Sequence, residues 1–550
     1  MLQQDRIWMA QGENACYLLL NQANRHGIIA GASGTGKTVT LKVMAEGFSH
    51  AGVPVFMADV KGDVVGMAEE GKMSDGLAKR MPYFDIDPAE FPFRSNPVRV
   101  WDMLGDEGIP VRVTISDMGP TLLARLLGLT EVQEGVLNII FHVADDHGML
   151  LIDLKDLRAM LAFVADNAKE FESSYGRVSS ASVGAIQRKL LALADQGGDV
   201  FFGEPNIDLS DWFDCAPDGR GFINILNASR LINQPQVYAM FLLWMLSHLF
   251  ETLPEVGDPD KPRFVFFFDE AHLLFDGMPK ALTDKIVQVV KLIRSKGVGV
   301  YFITQSPSDI PNDVLAQLSN RVQHGLRAYT PAEQKAVRAA AASFRARPGF
   351  DAAAALQELG TGEALVSFLD EDGKPCMVER ARVLPPQCLM AAPSPETLSR
   401  VYAEQRDLMD AYGEPVDRES AYEIIEEQRE ASAEEQRLAA ERAAFEKEKA
   451  AWEKQRALEE QRAAKEAERE AARQDKEEQR LRAAEEKAAE RERIAAEKEA
   501  ERQRIAAEKE AAKKQAEIGK LVSRFTGNVI GALGRQAGSA ITRGLFGTKR

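Results

Sequence analysis

Cysteine is scarce. The four in the chain, Cys16, Cys215, Cys376 and Cys388, show no Cys-x-x-Cys spacing, and the seven histidines form no ligand pattern with them. Neither a structural zinc site nor a disulfide framework is expected. A secretion signal is lacking too: Met1-Leu-Gln-Gln-Asp has neither the basic start nor the apolar stretch of one. The longest apolar segment, residues 237–250, contains Ser247 and His248 and is too short to span a bilayer, so it reads as a buried helix. These absences point to a cytoplasmic protein.

Positive charge is also short. Lysine and arginine number 68 against 84 acidic residues, a net of −16. The imbalance is confined to residues 1–420, which hold 56 acidic and 39 basic side chains, while residues 421–550 hold 28 and 29. Nucleic-acid binding draws most of its affinity from phosphate neutralisation by Lys and Arg. A core at −17 repels DNA at long range unless basic loops converge locally, as in the channel of a ring. Lys335, Arg338, Arg345 and Arg347 make one basic stretch, which reads first as an exposed helix face.

The octapeptide Gly31-Ala-Ser-Gly-Thr-Gly36-Lys37-Thr38 is a complete P-loop. Gly27-Ile-Ile-Ala before it reads as a buried strand, and the segment after it as a helix with Leu41, Met44 and Phe48 on one face. In such a loop the backbone of Gly31, Ser33, Gly34, Thr35 and Gly36 curls around phosphate oxygens, and the helix N-terminus adds its positive dipole end. Lys37 reaches the β- and γ-phosphates of ATP, and the Thr38 hydroxyl joins a Mg²⁺ shell.

Three further strands end in polar residues. Phe264-Val-Phe-Phe-Phe-Asp269-Glu270 is an all-apolar run of the kind found in central parallel strands, and it ends in two carboxylates. Asp269 suits Mg²⁺ and Glu270 suits polarisation of an attacking water. Gly297 to Pro307 forms a second buried strand, with Gln305 placed to sense a γ-phosphate or orient water. The strand from Val53 ends at Asp59-Val-Lys61-Gly62-Asp63. Asp59 is a candidate for the nucleotide site, and for it and Lys61 a plain solvated strand end stands as an equal reading.

With these blocks in place the chain resembles a HerA/FtsK-type P-loop ATPase, and among those a bacterial HerA-like branch. The resemblance rests on Asn24-Arg-His-Gly-Ile-Ile-Ala-Gly running into the P-loop, Asp59-Val-Lys-Gly-Asp, Phe268-Asp-Glu-Ala-His-Leu-Leu, Gly299-Val-Tyr-Phe-Ile-Thr-Gln-Ser-Pro and Leu359-Gly-Thr-Gly-Glu-Ala. It implies a homo-oligomer, typically a hexameric ring using ATP and Mg²⁺ to move or pump DNA. It further implies an arginine reaching the γ-phosphate from a neighbouring subunit, for which Arg294 and Arg321 fall at suitable places, with Arg327 a third. Two departures stand out. About 25 residues precede the P-loop strand, too few for the N-terminal β-barrel of HerA proteins, and the membrane-spanning N-terminus of FtsK is not seen.

The fold expected is α/β: a RecA-like P-loop NTPase with a mainly parallel central sheet, a large helical insertion and a long helical C-terminal tail. Residues 1–79 carry the first part of the core and 216–392 the second, closing with a hairpin whose turn is Asp372-Gly373. Residues 80–215, rich in leucine at helical spacing, read as the insertion, and 393–417 as a helix and linker. Residues 418–517 are almost wholly Ala, Glu, Lys, Arg and Gln and predict one long charged helix, single or in a coiled coil. Leu438, Phe445 and Trp452 recur every seven residues there, and Ile494-Ala-Ala-Glu-Lys-Glu-Ala recurs at Ile505, eleven on. Residues 518–550 hold six basic side chains and no acidic one, and suit either docking on protein or a membrane surface. Three functional classes remain open: a DNA translocase or helicase, an ATPase driving protein assembly or membrane association, and a nucleotide phosphohydrolase without a polymer substrate.

Overall fold

The computed structural model describes residues 1–105, 107–230, 235–275, 280–466 and 471–522. Of the basic terminal segment 518–550, residues 523–550 lie outside that set. The chain forms two compact units: residues 1–143, 151–154 and 164–415, and residues 144–150, 155–163 and 416–550.

The first unit is built on one sheet. Its strands run in the order Leu2–Gln3, Arg6–Gln11, Glu379–Val383, Glu363–Ser367, Asn320–His324, Gly27–Ala30, Val298–Thr304, Phe264–Phe268, Val55–Asp59, Ile223–Asn227, Val98–Asp102 and Ile109–Pro110. From Asn320–His324 onward every neighbour is parallel. The hairpin Glu363–Ser367 and Glu379–Val383 then adds antiparallel, and Arg6–Gln11 pairs with it in turn.

The apolar strands are covered on both faces, which is why they read as continuous hydrophobic runs. All five residues of Phe264–Phe268 are at most 1 % exposed. Alternation sorts their rings. Phe267 and Tyr301 point to Phe48 on the helix Lys37–His50, while Phe56, in contact with Phe266, meets Phe241 on the helix Pro235–Thr252. The apolar segment 237–250 is therefore a core helix covering the sheet, and among the described residues no helix is long and apolar enough to cross a membrane. Each fully buried Phe contributes about 1.5–3 kcal/mol.

Within residues 80–215 the helices Ile115–Leu126, Glu131–Asp146, Leu154–Asp166, Ala168–Tyr175 and Ser180–Leu193 do form. Their sequence neighbour Val98–Asp102, however, is a sheet strand registered on Ile223–Asn227. Its alternation is too short to stand out beside the leucine-rich helices. Arg6–Gln11 and Ala15–Leu19, which carry no motif, pair antiparallel at the hairpin edge.

The second unit corrects the expectation of a single long helix. The helix Ala421–Glu466 opens where Ser420 N–H donates to Glu423 Oε2, and a second helix spans Ala471–Val522. The two lie side by side and antiparallel: Arg437 pairs with Glu501 and Lys509 with Glu427, while Lys487 sits over the Trp452 ring and Arg491 over Phe445. Phe445, Trp452, Ile494 and Ile505 are half-buried along this seam. The seven- and eleven-residue spacings thus mark two faces that meet each other.

Candidate functional site

The P-loop leaves the carboxyl end of Gly27–Ala30 and is pinned on both sides. Gly31 N–H donates to Thr304 O and Ala32 N–H to Gly325 O. The Gly31 amide is therefore spent on the neighbouring strand, and its glycine identity is steric: a Cβ there would lie 2.5 Å from His324 Cβ. Ser33 and Gly34 form an exposed crest, Gly34 at φ +76°. Thr35 is tied down by a 2.7 Å bond from Oγ1 to Ala32 O, and Gly36, at φ +113°, caps the helix that begins at Lys37. The first-turn N–H groups of that helix, Lys37 and Thr38 included, face the loop without intrahelical acceptors. Thr38 itself is half-buried.

Lys37 folds back on the loop, with Nζ donating to Gly31 O at 2.6 Å and Ala32 O at 3.2 Å. Burial lowers its pKa, opposed by the nearby charges of Glu270 and Asp269. The lysine and the two carboxylates thus converge, although 232 residues separate Lys37 from Asp269 in the sequence. Their convergence follows from strand order: Val298–Thr304 alone stands between the P-loop strand and Phe264–Phe268, so three strand ends meet.

Asp269 is buried, and desolvation raises its pKa to about 6, with the Glu270 N–H bond to Oδ1 acting in the opposite sense. Glu270 adopts φ 47°, ψ 49°, a left-handed conformation that side chains other than glycine rarely hold. Oε1 accepts from Lys61 Nζ at 3.4 Å, and Oε2 lies 3.5 Å from His272 Nδ1. Lys61 is thereby drawn into the site.

Asp59 explains how. Its carboxylate accepts the N–H groups of Lys61, Gly62, Val64 and Val65, at 2.7–3.3 Å. Rather than presenting free oxygens to a nucleotide, it shapes the loop that carries Lys61. Gln305 follows the strand end opposite Ala30 and is exposed, while Thr304 Oγ1 is bound to Asp309.

The arginines do not converge on this site within the chain. Arg294 lies before Val298–Thr304, at the opposite end of that strand from the P-loop, and pairs with Asp258 at 3.0 Å. Arg321 sits at the start of its strand, donating to Leu318 O and Leu315 O. Both stand as local anchors of turns. Arg327 is exposed just past His324, on the P-loop side of the sheet.

His324 is a residue that the sequence reading missed. It is fully buried, and burial lowers its pKa to about 4. Nδ1 faces Glu363 O at 3.0 Å, an acceptor only, so that nitrogen carries the proton and Nε2 accepts from the Thr40 hydroxyl at 2.7 Å. Through these bonds it fastens the P-loop helix to the hairpin. No motif signals it, because its importance comes from the pairing of Asn320–His324 with Gly27–Ala30.

A P-loop closed by a parallel strand end bearing two carboxylates, with a third polar strand end between them, defines a RecA-like P-loop NTPase. The chain belongs to the helicase HerA-like C-terminal family, whose description matches residues 4–482. No curated protein matches it. Among solved structures, the bacterial conjugative coupling protein TrwB in its unbound monoclinic form is 15 % identical at a TM-score of 0.45, covering 69 % of this chain and 89 % of that one. TrwB in complex with ADP and Mg²⁺ gives 16 % and 0.42, over 67 % and 88 %. VirB4 of Thermoanaerobacter pseudethanolicus gives 14 % and 0.44, over 72 % and 99 %.

Proposed function

We propose that this protein hydrolyses ATP with Mg²⁺ and that the cycle drives a homo-oligomeric, ring-forming motor acting on DNA. The observation that carries the ATPase part is the convergence of Lys37, Asp269 and Glu270 from the ends of two strands that flank Val298–Thr304.

The site fits a divalent cation. Asp269 offers a buried carboxylate close to the Lys37 charge, and Thr38 a half-buried hydroxyl in the first helical turn after Lys37, both hard oxygen donors of the kind that Mg²⁺ takes. Among the described residues no cluster of three or more His, Cys, Asp or Glu side chains would hold a metal by itself, so the remaining ligands would be phosphate oxygens and water. Thr38 and Asp269 would hold the ion, which when bound neutralises charge on the β- and γ-phosphates. Lys37 leaves Gly31 O and Ala32 O for those oxygens. Glu270 accepts the proton of the attacking water and is oriented by Lys61. Gln305 donates and accepts at the γ-phosphate. An arginine from a second copy, Arg294, Arg321 or Arg327, completes the site.

A second reading, an ATPase driving protein assembly or membrane association, is favoured by the net of −17 over residues 1–420. ATP turnover of the purified chain, with and without single- and double-stranded DNA at low salt, tests both, with Glu270→Gln as the blank and molecular mass recorded in the same buffer. DNA stimulation of a hexamer supports the motor. Turnover indifferent to DNA supports the second reading or a nucleotide phosphohydrolase without a polymer substrate, and no turnover above the blank overturns the ATPase assignment.

A further inference from the structure

The chemistry-bearing strand ends occupy one flank of the P-loop strand. The opposite flank carries Asn320–His324 and the hairpin Glu363–Ser367 with Glu379–Val383. A triphosphate whose last phosphate lies at Asp269 and Glu270 directs its nucleoside away from them, toward the hairpin.

That flank is built against the loop. Gly362 N–H donates to Thr35 O at 2.9 Å, and a Cβ on Gly36 would stand 3.3 Å from Gly362 Cα. Gly362 itself sits at φ +77°, and a side chain there would run into the guanidinium of Arg80, which donates to Gly362 O at 3.3 Å. The turn is bare so that Arg80 can approach the P-loop. Next to it, Arg382 Nε donates to Glu363 Oε1 at 3.2 Å and Arg380 Nη2 to Oε2 at 3.0 Å. Arg380 reaches Glu358 as well, so Arg80, Arg380 and Arg382 stand against two carboxylates, a small local excess of positive charge in an acidic core. Arg382 also lies over the ring of Tyr83, its Cζ 3.3 Å from the centroid, while Tyr83 is 55 % exposed. An exposed aromatic ring held in place by an arginine is a stacking platform.

We propose that Tyr83, backed by Arg382, binds the base of the nucleotide whose phosphates the P-loop holds, with Arg80 facing the sugar–phosphate link. The ligand class is a nucleoside triphosphate, purines above pyrimidines because the larger ring covers more of Tyr83. This inference rests on the P-loop reading above, and polyphosphate separates the two. Tripolyphosphate carries the phosphates without a base.

The test uses the full chain carrying Glu270→Gln, titrated by calorimetry with ATP and with tripolyphosphate, both with Mg²⁺. Tyr83→Ala weakens ATP about tenfold and leaves tripolyphosphate within about twofold, and Tyr83→Phe keeps the affinity for ATP. Unchanged ATP affinity in Tyr83→Ala overturns the proposal, as does equal weakening of both ligands. If the parent chain binds neither ligand, the P-loop assignment itself fails.

Discussion

The ammonium of Lys61 stands 3.4 Å from Oε1 of Glu270, 209 residues away in the chain, and the loop that brings it there is folded around the carboxylate of Asp59. The proposed base is thus aimed by a residue on a neighbouring strand end. Lys61→Met is expected to lower kcat roughly tenfold while ATP affinity changes by less than about twofold, as for a group that acts on a transition state alone. Asp59→Asn acts through the same loop, so the double variant should lose less than the product of the two single losses. Full additivity in a kinetic cycle would mean that Asp59 does not position Lys61.

Lys37 and Glu270 separate binding from chemistry. Lys37→Ala is expected to abolish nucleotide binding or turnover. Glu270→Gln should bind ATP like the parent and fall about a hundredfold or more in kcat, the range of a lost general base. Wild-type turnover in Glu270→Gln would show that another group activates the water.

Acid should destabilise the first unit through two buried imidazoles. His324 and His26 both have pKa values lowered to about 4, in each case chiefly by burial. His26 Nδ1 accepts from Val300 N–H, a bond that a second ring proton would break. An imidazole whose folded pKa lies below its unfolded one takes its proton first in the unfolded chain. Its contribution is therefore complete above the ordinary value near 6.5 and is lost as pH falls toward 4. Urea midpoints measured from pH 7.5 to 4 should fall over that window, and His324→Gln should flatten the fall. A midpoint constant over the window would show that these rings are not neutral and buried.

Gly31→Ala should damage the P-loop without removing a phosphate contact. The added methyl would meet His324 Cβ at 2.5 Å, an overpacking worth about 1–3 kcal/mol. Thermal unfolding should report the loss in the free protein, and nucleotide binding should weaken with it. An unchanged melting temperature would show that the loop yields there.

The paired helices of the second unit are checked by distance. Spin labels at Glu434→Cys and Arg502→Cys, in a chain otherwise freed of cysteine, should lie within about 20 Å of each other. One continuous helix would hold them about 100 Å apart at 1.5 Å per residue. A long distance would remove the pairing of Arg437 with Glu501 and of Lys509 with Glu427.

The candidate site residues that lie in local patterns were legible in the chain itself. Glycine spacing around Lys37, an unbroken apolar run ending at Asp269 and Glu270, and the strand ending at Gln305 are patterns of consecutive residues, and the backbone they imply is a local property. The buried helix at residues 237–250 was legible for the same reason, since apolar length alone determines burial. What joins distant segments was not. The approach of Lys61 to Glu270, the inward turn of Asp59, the tautomer of His324 and the stack of Arg382 on Tyr83 depend on which strands neighbour which. The fold-back of the charged tail likewise depends on which faces meet, because a helix-forming composition sets helix content and leaves open what the helix packs against. Residue type and spacing thus marked the candidate phosphate-binding residues, and strand order alone decided which side chains stand around them.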